Sequence, residues 1–136
     1  MEISTENFAN DRFAATAGVE VTDVRPGRAT ARMTIDERHA NNLGLVHGGA
    51  IFTLAASALF AACNAAGKAA VGINLNIAYL EPVRQGTLTA EAVEISRSRK
   101  VSTTTVRVLD EEERLVAQLQ GTAYVKNEPY PSDETV

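Results

Sequence analysis

Cys63 is the only cysteine in the chain. A disulfide framework within one chain is therefore excluded, which fits a reducing, cytoplasmic setting. Positive charge is also scarce: 13 lysines and arginines stand against 17 acids, for a net charge of −4. That balance argues against nucleic acid as the main partner, but leaves room for a local basic pocket that meets a phosphorylated ligand. Aromatic residues make up 5% of the chain, a level that does not decide between aryl and alkyl ligands. The acidic, polar start "MEISTENFANDRF" has neither the basic residues nor the apolar run of a signal peptide. The uncharged stretch from Ala50 to Cys63 is roughly 14 residues, broken by Thr53 and Ser57, and is too short to span a membrane. It reads as a buried core helix. His39 and His47 share one loop without a suitable cysteine or acid cluster, so no metal is expected.

What remains is a chain of 136 residues, 45% hydrophobic and 22% charged, enough for one domain with a sizeable core. Thr5 to Thr16 reads as a short amphipathic helix with Phe8, Phe13 and Ala14 on its apolar side. "GVEVTDV" and "RATARMTI" alternate around "RPG" and predict a β-hairpin, with Ala31, Met33 and Ile35 on one face of its second strand. An Asn-rich loop follows. From about Gly48 to Ala66, apolar residues recur at helical spacing, and the remaining side carries Phe52, Ala56, Phe60 and Ala61. A helix apolar all round is expected to be buried all round. Gly67 is placed to stop it. Strands are then predicted at about 70–79, 86–96, 101–109 and 115–126, with residues 127–136 as a loose polar tail. The order suggests an α+β domain in which a curved antiparallel sheet wraps one long central helix.

The segment "HANNLGLVHGGAIFTLA" carries the motif of interest. It resembles the signature of hotdog-fold thioesterases, and most closely the phenylacetate-pathway-type acyl-CoA thioesterases. His39, Asn41, Gly44, His47, Gly48 and Gly49 stand at the signature positions, and "NLNIAYLEPVRQG" resembles the next strand and turn of that family. The resemblance covers roughly residues 15–126 and implies hydrolysis of an acyl-CoA or acyl-carrier-protein thioester. No cofactor is implied beyond the coenzyme A of the substrate. The amide of Gly48 is then expected to hold the thioester carbonyl, with Asn41 and His47 shaping the site. The chemistry agrees: the first N–H groups of a helix lack intrahelical partners and lie at the positive end of its dipole. Such donors polarise a carbonyl and stabilise an oxyanion.

Each of these residues also has a plainer reading. His47 can cap the helix, Asn41 can turn the loop, and Gly48 with Gly49 can serve tight packing. His39 is read as structural and Cys63 as a small core residue. Arg84, Arg97, Arg99 and Lys100 are the candidates for coenzyme A phosphates, although "SRSRK" also reads as a solvated turn.

One departure falls on the chemistry itself. Hydrolytic members of the resembled family carry an acid nine positions after the motif histidine, and here that position is Ala56. A methyl group neither takes a proton from water nor attacks a carbonyl. Ser57 lies roughly 100° away around the helix, and Glu81 and the 110–113 acids are read as turn residues. The alternative to a thioesterase is therefore a non-catalytic acyl-CoA binder or sensor. A hotdog dehydratase is a weaker third reading, since it needs the same missing acid. The resemblance further implies a homodimer or dimer of dimers, with no nucleic acid or membrane partner.

Overall fold

The computed structural model describes residues 3–131. Six strands form one antiparallel sheet in the order β1-β2-β4-β5-β6-β3. They are β1 (Val19–Arg25), β2 (Arg28–Thr34), β3 (Lys68–Tyr79), β4 (Thr87–Arg97), β5 (Val101–Leu109) and β6 (Leu115–Pro129). The long helix α2 (Gly48–Asn64) lies across the sheet and packs on all six strands. This is the wrapped-helix arrangement expected from the sequence.

The register explains the fit. Ala31 pairs with Ala90 and Ala90 with Val108, while Ala29 pairs with Ala92 and Ala92 with Val106. Alanines on the inner face of β2 and β4 let the helix backbone come close. From the helix, Leu54, Ala55, Ala58, Leu59 and Ala62 complete the core against Met33, Leu88, Val106 and Leu119. The β1–β2 turn has Pro26 followed by Gly27 at φ +79°, the arrangement a type II turn requires. Thr53 and Ser57 donate to the carbonyls of Gly49 and Thr53, which satisfies both hydroxyls on an otherwise apolar helix. Buried Asn64 closes α2: it accepts from the Ala70 N–H at 2.7 Å and donates to the Phe60 carbonyl at 2.8 Å.

Four expectations are revised. The segment 5–16 is not one helix but a 3-10 turn (Thr5–Phe8) and a short helix α1 (Arg12–Thr16). Asp11 restarts the helix by accepting from the Ala14 N–H, which turns Phe13 to solvent and buries Ala14. α2 stops at Asn64, two residues short of the predicted end, and Gly67 at φ +99° carries the turn beyond it. α2 is also not buried all round: Gly49 is exposed, and Phe52, Thr53, Ser57 and Phe60 remain half-exposed. Residues 127–129 are not loose, because β6 continues to Pro129, paired with Lys68 on β3. A proline is tolerated at such a strand end, where its missing N–H costs no ladder bond. Tyr130 then donates its N–H to Gly67 and stacks near Phe8, with ring centroids 5.5 Å apart. The rest of the predicted tail, 132–136, lies outside the described residues.

Two features of the core give testable consequences. The Thr104 hydroxyl is fully buried and has no hydrogen-bond partner among the described residues. Thr104→Val keeps the shape and removes the orphaned group, so it should stabilise the protein by about 1 kcal/mol. The check is a urea midpoint that rises at unchanged slope. Burial, reinforced by Glu94 and opposed by Arg97, pushes the Cys63 thiol up to about 11. The folded protein should therefore resist disulfide exchange with an aromatic disulfide at pH 8 and react fully once denatured.

Candidate active site

The site begins in the loop before α2. The Asn41 side-chain oxygen accepts from the N–H groups of Leu43 and Leu45, at 2.8 and 3.0 Å. Asn41 also bonds through its backbone to Leu45 and Gly44, and Gly44 takes φ +75° to close the turn. The loop is pinned at its exit, where Val46 donates to Val83 and His47 to the His39 carbonyl at 2.7 Å. His39 is buried, and both its ring nitrogens are engaged. Nδ1 accepts from the Asp36 N–H at 2.9 Å and Nε2 donates to the Ala17 carbonyl at 2.6 Å. The nearby Asp36 carboxylate, 3.5 Å from Nδ1, is therefore not an ion-pair partner. His39 thus ties the loop to the end of α1.

His47 is the N-cap of α2. Its Nδ1 accepts from the Gly49 N–H at 2.7 Å, which places the ring proton on Nε2. The Ala50 and Ile51 N–H groups go to the His47 carbonyl. Only the Gly48 N–H of the first helical turn has no partner among the described residues. Gly48 lines a cavity of about 360 Å³ whose walls also include Asn41, Ile51, Tyr79 and Glu81. A free N–H at a helix start, beside an open cavity, can polarise a carbonyl oxygen brought to it.

The structure brings Asn41, His47, Gly48 and Gly49 together and sets Arg84 beside them. A Cβ on Gly44 would lie 3.7 Å from the Arg84 guanidinium. It does not bring the β4–β5 turn to this place within one chain. Arg97 donates to the Cys63 carbonyl at 3.0 Å and to Glu94 at 2.9 Å, at the far end of α2. Cys63 is fifteen residues beyond Gly48, about 22 Å along the helix. Arg99 and Lys100 stand exposed in the adjoining turn. Ala56 is buried on the side of α2 that carries Phe52 and Phe60. It lies about 12 Å along the axis from Gly48. Beside it, Ser57 faces a second cavity of about 570 Å³, walled by Phe60, Asn64 and the N-terminal residues around Phe8.

Two contributors escaped the sequence reading. Tyr79 donates its hydroxyl to the Gly48 carbonyl at 2.8 Å. In the sequence it is one more aromatic residue in a strand. Glu81 lines the Gly48 cavity, so an acid read as a turn residue reaches its rim. Among the described residues, no three of His, Cys, Asp and Glu gather where a metal could sit. No helix among them is long and apolar enough to cross a membrane.

Residues 43–117, which hold the free amide, the helix and most of the sheet, match a family model described as "Thioesterase superfamily". The chain belongs to the thioesterase superfamily. It is 30% identical over 118 residues to the acyl-coenzyme A thioesterase PaaI of Escherichia coli, covering 86% of this chain and 84% of that one. A mutant of the phenylacetic acid degradation protein PaaI from Thermus thermophilus superposes with a TM-score of 0.82. It is 32% identical, with 85% of this chain and 100% of that chain covered. The E. coli PaaI structure gives 0.85 at 25% identity, over 93% and 99% of the two chains. The fold is thus the hotdog fold of these thioesterases, a curved sheet around a central helix.

Proposed function

We propose that this protein binds acyl-CoA thioesters with the carbonyl oxygen on the Gly48 N–H, and that it is built as an acyl-CoA thioester hydrolase. The observation that carries this reading is the single unpartnered amide at the start of α2, held in place by His47 and by the Asn41 loop. The names of its thioesterase relatives support the substrate class. Carrier-protein thioesters present the same carbonyl and belong to the same proposal. Arg84, over the Asn41–Gly44 turn, is placed to meet coenzyme A phosphates at the mouth. The Arg97–Lys100 turn reaches such a ligand only from a second subunit, because it lies at the other end of α2.

A homodimer fits this division. β3 is an edge strand with Val71 and Ile73 exposed, an edge that a second copy would cover. A group at position 56 would then serve the carbonyl held by the partner. A second reading, a non-catalytic acyl-CoA binder, draws on one observation: the position that should carry the acid is Ala56.

The experiment is a hydrolysis screen over short, long and aromatic acyl-CoAs, with binding of each measured in parallel. Binding with turnover supports the hydrolase, and binding without turnover selects the binder. Failure to bind any acyl-CoA or carrier-protein thioester removes both readings.

A further inference from the structure

Gly48 and Gly49 are consecutive glycines at a helix start, where the backbone has the widest conformational freedom. An amide that aims at a ligand cannot be left loose there. The Gly48–Gly49 peptide is held at both ends by side chains. Its carbonyl accepts the Tyr79 hydroxyl at 2.8 Å, and its N–H donates to His47 Nδ1 at 2.7 Å. The tyrosine ring lies against the glycine: a Cβ on Gly48 would stand 3.0 Å from both Cζ and Oη of Tyr79. A side chain at position 48 would press on the ring, so that Tyr79 would have to give by a few tenths of an ångström to keep this bond.

Tyr79 works from a fixed base. It ends β3, paired with Ala117 on β6, and the next two N–H groups, of Leu80 and Glu81, both donate to the Val116 carbonyl. The hydroxyl thus reaches the helix start from the sheet, not from a loose loop. Partial burial raises the phenol further above neutrality, so it remains a donor.

We propose that Tyr79 is a positioning residue, which with His47 clamps the Gly48–Gly49 peptide and so aims the Gly48 N–H at the substrate carbonyl. This rests on the reading of Gly48 as the carbonyl donor. The adjacent peptide, His47–Gly48, carries the working N–H. Its tilt follows the φ and ψ of Gly48, which the clamp holds. With the hydroxyl gone, the helix would still form, but the amide would sample directions that miss the oxygen. A tyrosine that only sealed the helix start would change stability and leave the bound carbonyl untouched.

The test uses a ketone analogue of hexanoyl-CoA, with a methylene between sulfur and a 13C-labelled carbonyl, so that binding is read without hydrolysis. In the unsubstituted protein, the carbonyl band should move to lower wavenumber on binding, as it does when a donor polarises the oxygen. In Tyr79→Phe, the shift should fall to about half or less, with the dissociation constant within about threefold and Tm within a few degrees. Replacing Tyr79 by 3-fluorotyrosine, a stronger donor of nearly the same shape, should enlarge the shift. A full shift in folded Tyr79→Phe, or no enlargement with fluorotyrosine, overturns the clamp and leaves the Gly48 reading standing. No shift in the unsubstituted protein overturns the Gly48 reading, and the clamp with it.

Discussion

Ala56→Asp should raise the turnover of acyl-CoA thioesters by about 10²- to 10⁴-fold, the usual contribution of a single general acid–base group. The half of the site proposed to polarise the carbonyl is in place: the Gly48 N–H has no partner among the described residues, and Asn41 holds the loop before it. What position 56 lacks is a group that can take a proton or attack. KM should change far less than kcat, since the missing group acts in the chemical step. An aspartate at 56 would have Phe52 and Phe60 as its i±4 neighbours on the helix. Such surroundings raise the pKa of a carboxyl above its ordinary value by disfavouring the charge. The carboxylate is the working form, so the variant's rate should climb with pH through that raised value and then level off. The measurement is kcat for both proteins across a panel of acyl-CoAs, with folding checked by circular dichroism. A parent chain that is already fast, matched by a folded variant that is no faster, would defeat the argument. The acid would then come from elsewhere, and Glu81→Gln, at the rim of the Gly48 cavity, would be the next substitution to measure.

The fold was legible wherever a period was clear. Ala31 and Met33 alternate with Arg32 and Thr34, and the structure buries the first pair and exposes the second. The uncharged run after His47 became the central helix because nothing on it demands solvent. Legibility failed where local polarity and long-range pairing disagree. Asn127 and Glu128 read as tail, yet they lie inside β6, in an irregular stretch closed by the pairing of Pro129 with Lys68 on β3. Phe13 reads as the apolar side of a helix, but the Asp11 cap sets a register that turns it outward. In the site, residues joined by local hydrogen bonds were visible: Asn41, His47 and Gly48 lie within eight positions of each other. Tyr79 was not, since its partner is 31 residues away and a strand aromatic looks like packing. The arginine cluster shows the same limit. A charge run shows where cations are dense, but not that Arg97 is spent on the Cys63 carbonyl at the opposite end of the helix.

Gly48→Pro should remove the carbonyl-binding function while leaving the helix in place. Proline suits the first helical position, where its missing N–H would have no intrahelical acceptor and its fixed φ is already helical. The residue before a proline must be extended, and His47 sits at φ −61° and ψ 136°, within the allowed region. The substitution therefore deletes the one donor of the first turn that has no partner among the described residues, and no helix bond. Its ring carbons would meet Tyr79, which lies 3.0 Å from a Cβ at this position. Gly48→Ala supplies the control, because it adds the same contact but keeps the N–H. In the Ala56→Asp background, where turnover is expected to be measurable, Gly48→Pro should lower kcat by about 10²- to 10³-fold relative to Gly48→Ala, the loss typical of one oxyanion donor. Both variants should melt within a few degrees of each other, so the difference reports the amide and not the fold. Equal turnover in the two folded variants, with Gly48→Ala as active as the protein that keeps Gly48, would mean that the Gly48 N–H does not hold the carbonyl, and that the amide at the start of α2 is only a helix end without a cap.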